Sequence, residues 1–271
     1  ELAADLLENK FRFQTCFEQV ANLLESPDPA LIERVRFKSD FEFLRKLNQY
    51  LIHIENNFFQ EQDLRVGRTV VPSPFVLERF RAYHRIPLLS RIGPVARDVQ
   101  QYVRNQRERK LTGQEKSQIW EAIPRMIKIN GILDLYREFY AWLGRPDLFK
   151  MTADNALEYS DVFPLIYCKL RMEGGPVFDH VKHLLVDEMQ DYTPVQYRVL
   201  SRLFKCNKTI LGDITQAVNP YSGSSSEGIQ QVFPQAEVVK LFRSYRSTWE
   251  ITQFAQRIMP NPDLIAMERH G

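Results

Sequence analysis

Residues 183–213 constrain the fold more than any other stretch. An apolar run, His183-Leu-Leu-Val, ends in Asp187-Glu188, and a second, Thr209-Ile-Leu, ends in Gly212-Asp213. Between them a helix carries its own start signal. Thr193 is the N-cap, Pro194 stands in the first turn, and Gln196 lies three residues after the cap to close a capping box. Strand, helix and strand at this spacing predict parallel strands and an α/β layered domain. The rhythm extends both ways. Tyr159 to Arg171 reads as an apolar helix stopped at Gly174-Gly175, Glu237 to Leu241 as a third strand, and Ser247 as the cap of a further helix whose capping box reaches Glu250.

Residues 1–150 have a different texture. Phe13, Cys16, Phe17, Val20, Leu23 and Leu24 fall at helical spacing within 11–24, and Ser26-Pro-Asp-Pro ends that helix. Phe41, Leu44, Leu47, Leu51, Ile54 and Phe58 repeat the pattern. Leu64 to Val71 is short and β-branched, a hairpin or strand pair. Residues 74–109 read as one or two basic helices broken near Pro87 and Gly93-Pro94. Residues 114–143 are largely helical, with interruptions at Pro124 and Gly131.

Composition narrows the class. At 44% hydrophobic and 26% charged, with 3 cysteines and 11 glycines in 271 residues, the chain is neither disordered, collagenous nor a disulfide scaffold. No apolar run approaches the roughly 18 residues of a membrane helix. The start has no basic, apolar leader and no Met, so a piece of a longer, cytoplasmic protein with reduced thiols is expected. The net charge of +2 is uneven: 24 Lys+Arg face 20 Asp+Glu in 1–150, and 12 face 14 beyond. The densest basic stretch, 79–110, is either a contact for a polyanion or a solvated helical face.

Asp187 and Glu188 end a strand at the carboxyl edge of a parallel sheet, where open α/β folds bind ligands. Asp187 suits a hydrated Mg²⁺, and Glu188 suits an attacking water; otherwise the two acids merely solvate a strand end. Gln216 follows the second strand end. Tyr245 and Arg246, in Phe242-Arg-Ser-Tyr-Arg-Ser-Thr248, pair a ring with a guanidinium, which suits a base and its phosphates. His180 and His183 have no cysteine nearby to suggest zinc, and no GxSxG supports a serine hydrolase.

These segments together resemble the UvrD/Rep-type superfamily-one helicases. VDEMQD resembles their Walker B element, LGDITQAV their third motif and LFRSYRST their fourth. The resemblance implies that Asp187 binds Mg²⁺, Glu188 activates the hydrolytic water, Gln190 and Asp191 belong to the acidic motif, with Gln190 among the nucleotide-binding residues, and Gln216 senses the γ-phosphate of ATP. It further implies that Tyr245 stacks on adenine and Arg246 reaches the γ-phosphate. Tyr221, in Asn219-Pro-Tyr-Ser-Gly, is either the base-stacking aromatic after the third motif or a turn tyrosine. YSDVFPLIYCKLRMEG, RFKSDFEFLRKLNQYLIHIE and DLRVGRTVV are similar to the HelD branch, whose members either unwind DNA or displace RNA polymerase.

The implied architecture is α/β: a partial RecA-like parallel-sheet motor domain of the P-loop NTPase type, preceded by a mostly helical insertion domain. Residues 1–150 form the insertion, 151–236 the second part of the first motor domain, and 237–271 the start of the second. No GxxxxGK[ST] occurs in the sequence, so this chain alone is expected not to hydrolyse ATP. Three functions compete: a helicase or translocase on single-stranded or duplex DNA, an ATPase that remodels RNA polymerase, and a non-enzymatic interaction module.

Overall fold

The computed structural model describes residues 2–25, 27–107, 110–213, 216 and 226–271. Tyr221 and Arg109 lie outside the described residues. Helices α1 (Leu2–Leu6), α2 (Cys16–Glu25), α3 (Pro29–Ser39) and α4 (Phe41–Asn57) precede an antiparallel hairpin, β1 (Leu64–Val66) and β2 (Thr69–Val71). Helices α5 (Ser73–Ala82), α6 (Ile92–Arg107), α7 (Gly113–Arg125), α8 (Ile132–Trp142) and α9 (Tyr159–Met172) follow. Then come β3 (His183–Val186), α10 (Pro194–Leu203), β4 (Asn207–Ile210), α11 (Ser226–Val232), β5 (Arg243–Ser244), α12 (Trp249–Ile258) and β6 (Ile265–Ala266). β3 pairs in parallel with β4, and β5 with β6, so each pair encloses one helix as a strand–helix–strand unit. The fold is α/β.

Several sequence expectations need correcting, each for a local reason. The helix expected over 11–24 starts at Cys16, because Thr15 and Glu18 bond reciprocally as a capping box while the Gln14 N–H donates to the Leu157 carbonyl. The prolines after it also begin α3: Asp28 caps the Ala30 N–H and Pro29 supplies the first turn. Gly93-Pro94 does not break a helix but sits in the first turn of α6, where proline's missing N–H has no partner to lose. Residues 237–241 form no strand. A strand needs a partner, and among the described residues backbone pairing begins only where Ile265 N–H donates to the Phe242 carbonyl. Thr248, not Ser247, caps α12 and accepts from the Ile251 N–H, while Glu250 turns to His270.

One continuous hydrophobic core runs from Leu6 through Phe43, Phe80, Phe139 and Ile166 to Val232. Helix α9 is its axis, packed by α1, α3, α8 and α10. Val186 faces that core, whereas Leu185 on the opposite face of β3 is 61% exposed. Parallel strands are ordinarily covered on both faces, whereas β3 is covered on one side here. No helix among the described residues is long and apolar enough to cross a membrane.

A charged network lies within this core. The Arg34 guanidinium donates to both oxygens of Glu158, and the Lys38 ammonium lies 2.7 Å from Asp161 and 3.4 Å from Glu158. The Tyr136 and Tyr140 hydroxyls donate to the same Asp161 oxygen at 2.7 and 3.2 Å. Burial pushes the Asp161 carboxyl above its usual range, with Lys38 acting in the opposite sense. These groups fasten α3, α8 and the start of α9 to one another.

The basic stretch is not one surface. Arg91 is buried, donating to the carbonyls of Phe80, His84 and Ile86, and Arg107 ties the Val66 carbonyl, Thr69 and Glu115 together. Phe80 is in the core, and Tyr102 packs on Phe75 with ring centroids 4.6 Å apart. Arg81, Arg85, Arg97 and Arg104 remain exposed.

Candidate functional site

The parallel register of β3 and β4, with Val186 opposite Ile210, brings both strand ends to one place. The pairing continues beyond the strands: Leu211 N–H donates to the Val186 carbonyl and Met189 N–H to the Leu211 carbonyl, both at 2.8 Å. The second bond requires the chain to turn sharply after Asp187. Glu188 makes that turn in the left-handed region, at φ 52° and ψ 54°. A non-glycine residue holds this conformation only when its surroundings enforce it. Here the Asp187 carboxylate accepts from the Glu188 N–H at 2.9 Å, the Asp191 N–H donates to the Glu188 carbonyl, and the buried Tyr197 hydroxyl donates to the Met189 carbonyl at 2.9 Å. Burial pushes the Tyr197 phenol well up, so it stays a donor.

Side chains extend the connection. Gln190 is buried; its amide N–H donates to Glu188 Oε2 at 2.6 Å and its carbonyl accepts from the Asp213 N–H at 3.1 Å. The Gln216 amide donates to Asp213 Oδ2 at 2.9 Å. Gly212 makes this closeness possible. A Cβ there would lie 2.5 Å from the Met189 nitrogen and 2.6 Å from Gln190 Oε1. The Gly-Asp spelling of the motif was visible in the sequence; the parts played by Tyr197 and by the Asp213 N–H were not, since neither has a local signature.

Asp187, Glu188, Gln190 and Gln216 are therefore brought together. Asp191 turns away and lines a cavity of about 310 Å³ with Cys16, Lys38, Tyr159 and Gln196. Tyr245 and Arg246 are exposed beyond β5, and among the described residues no hydrogen bond or ion pair joins them to the strand ends. His183 donates to or accepts from the Thr209 hydroxyl at 2.8 Å.

The electrostatics of the strand ends stand out. Asp187 and Glu188 are both exposed, and among the described residues neither has an ion pair. Nor do the described residues hold a cluster of three or more His, Cys, Asp or Glu side chains suited to caging a metal. An exposed carboxylate pair without countercharge suits Mg²⁺, which takes one or two carboxylates and keeps waters and phosphate oxygens for the rest.

Known proteins resemble parts of this chain. Over 86 residues the chain is 37% identical to ATP-dependent DNA helicase UvrD2 of Mycobacterium tuberculosis, covering 30% of this chain and 12% of that protein. Over 138 residues it is 35% identical to DNA helicase II of Haemophilus influenzae, 46% of this chain and 18% of that protein. Over 119 residues it is 31% identical to ATP-dependent DNA helicase Rep of Escherichia coli, 41% and 18% respectively. The chain thus spans under a fifth of each of these relatives. Residues 31–236 match the UvrD/REP helicase N-terminal domain. That match takes in both strand ends, the helix between them and most of the helical region before them, and the chain belongs to the UvrD/REP helicase family.

Proposed function

We propose that this chain is part of an ATP-dependent DNA helicase, and that the ends of β3 and β4 belong to its nucleotide site in a RecA-like motor domain. In this reading residues 1–150 are the helical insertion, 151–236 complete the first motor domain, and 237–271 open the second. The observation that carries it is the carboxylate pair Asp187–Glu188, exposed, without countercharge among the described residues, with Glu188 on an enforced left-handed turn that Gln190 and Asp213 link to Gln216. Asp187 would hold Mg²⁺, which when bound would supply charge neutralisation on the phosphate oxygens. Glu188 orients the attacking water and takes its proton as oxygen attacks the γ-phosphorus and the bond to the β-phosphate breaks. Gln216 reads the γ-phosphate. Tyr245 and Arg246, on the second strand–helix–strand unit, reach the nucleotide when the two motor domains close. DNA is preferred over RNA polymerase as partner because the relatives above are named DNA helicases.

The test is steady-state ATP hydrolysis by the full-length protein, with and without single-stranded DNA. Glu188→Gln is expected to bind ATP and to lose turnover by at least about 100-fold, in line with general-base contributions of 10²–10⁴. Turnover at the normal rate in that variant would remove Glu188 from the mechanism, and with it the assignment of the site.

A further inference from the structure

We propose that Gln190 is a positioning residue that joins the phosphate-reading Gln216 to the water-activating Glu188. This inference rests on the roles of Glu188 and Gln216 stated above. Both polar ends of the Gln190 amide are engaged inside the protein: Nε2 on Glu188 Oε2 at 2.6 Å, Oε1 on the Asp213 N–H at 3.1 Å. The side chain is only 3% exposed, so it meets the nucleotide through Glu188 rather than directly. Asp213 passes the connection on, its carboxylate accepting from Gln216 and its carbonyl accepting from the Gln216 N–H at 3.0 Å. The result is an unbroken path, Gln216–Asp213–Gln190–Glu188, that crosses from the end of one strand to the end of the other.

Its walls are held by hydrogen bonds and close packing. Met189 is fixed on both sides, by Leu211 through its N–H and by Tyr197 through its carbonyl, so the Gln190 backbone has little freedom to follow a displaced side chain. Gly212 leaves room for Oε1 and nothing more. A shift of Gln216 and Asp213 toward a phosphate therefore reaches Glu188 through one amide. Hydrogen-bonded groups that act as a unit give non-additive mutational effects, which makes the path measurable.

The experiment uses the full-length protein and single-stranded DNA-stimulated ATP hydrolysis. Gln190→Met keeps the length and buried volume of the side chain and removes both hydrogen bonds. The expected result is a fall in kcat of ~10- to 100-fold, the scale of a misplaced catalytic group, with KM for ATP changed less than about twofold. Gln190→Met combined with Gln216→Ala is expected to be no slower than the slower single variant. A rise in KM with kcat preserved would make Gln190 a nucleotide contact. Unchanged kcat, or fully multiplicative losses in the double variant, would overturn the path. Should Gln190→Met fail to fold, Gln190→Glu keeps the acceptor for Asp213 but sets a second carboxylate against Glu188. The same loss of kcat is expected, and normal turnover would again overturn the proposal. Glu188→Gln run in parallel separates the two levels: if it is inactive while the Gln190 variants are normal, only the path fails, and if it is active, the reading of the whole site fails.

Discussion

Two acidic pairs in this molecule have the same composition and opposite circumstances. Glu158 and Asp161, at the start of α9, are buried and answered by Arg34 and Lys38, with two tyrosine hydroxyls besides. Asp187 and Glu188, at the end of β3, are exposed and answered by no cation among the described residues. Charge removed from water must be paired or it is very costly, so the first pair is internally complete. The second is left open, with Glu188 held in an unfavourable backbone region and both residues exposed. Internal pairing therefore separates the carboxylates that hold this fold together from those available to a ligand.

The largest effect expected from this contrast is at the closed pair. Lys38→Met leaves Asp161 buried without its ammonium, and breaking a buried pair in this way costs about 3–5 kcal/mol. Chemical denaturation should show a large fall in the midpoint at unchanged slope. A loss under ~1 kcal/mol would mean that the tyrosine hydroxyls and Arg34 suffice, and the contrast would weaken. Gly212→Ala comes next. Its new Cβ must displace backbone at Met189 or the Gln190 amide, since 2.5 and 2.6 Å are closer than such atoms approach. Over-packing of this kind costs about 1–3 kcal/mol. If stability instead stays level, the strand ends are more yielding than their hydrogen bonds suggest, and the enforced turn at Glu188 loses its main support.

The difference between the pairs was only half legible in the amino-acid sequence. Asp187-Glu188 announces itself because an apolar run precedes it and a complete capping box, Thr193 with Gln196, follows; both features are local, and both are present in the structure. Glu158 and Asp161 carry no such mark. Their partners stand some 120 residues away in Glu33-Arg-Val-Arg-Phe-Lys38, and no local pattern links the two segments. For the same reason Arg91 counts in sequence as part of a basic stretch, whereas in the fold three carbonyls surround it. Gln190 stands in the acidic motif, but its partner at the end of the far strand depends on the β3–β4 register, which sequence does not encode locally. The missing strand over 237–241 shows the converse: its β-branched residues promise a strand, and pairing, not propensity, decides whether one forms.

The smallest effect is the sharpest test of the contrast. Asp187→Asn removes one of two adjacent like charges while its amide oxygen can still accept the Glu188 N–H that Asp187 now holds. Because no cation among the described residues loses a partner, the stability of this chain should move by no more than ~0.5 kcal/mol, and upward if at all. The same substitution in the full-length protein should abolish ATP turnover, since an amide is a poor ligand for Mg²⁺ beside phosphate oxygens. Unfolding midpoints and hydrolysis rates on the one variant decide the matter together. A marked loss of stability would show that Asp187 is held by the fold as Asp161 is, and the open pair would then have to be read as another structural one.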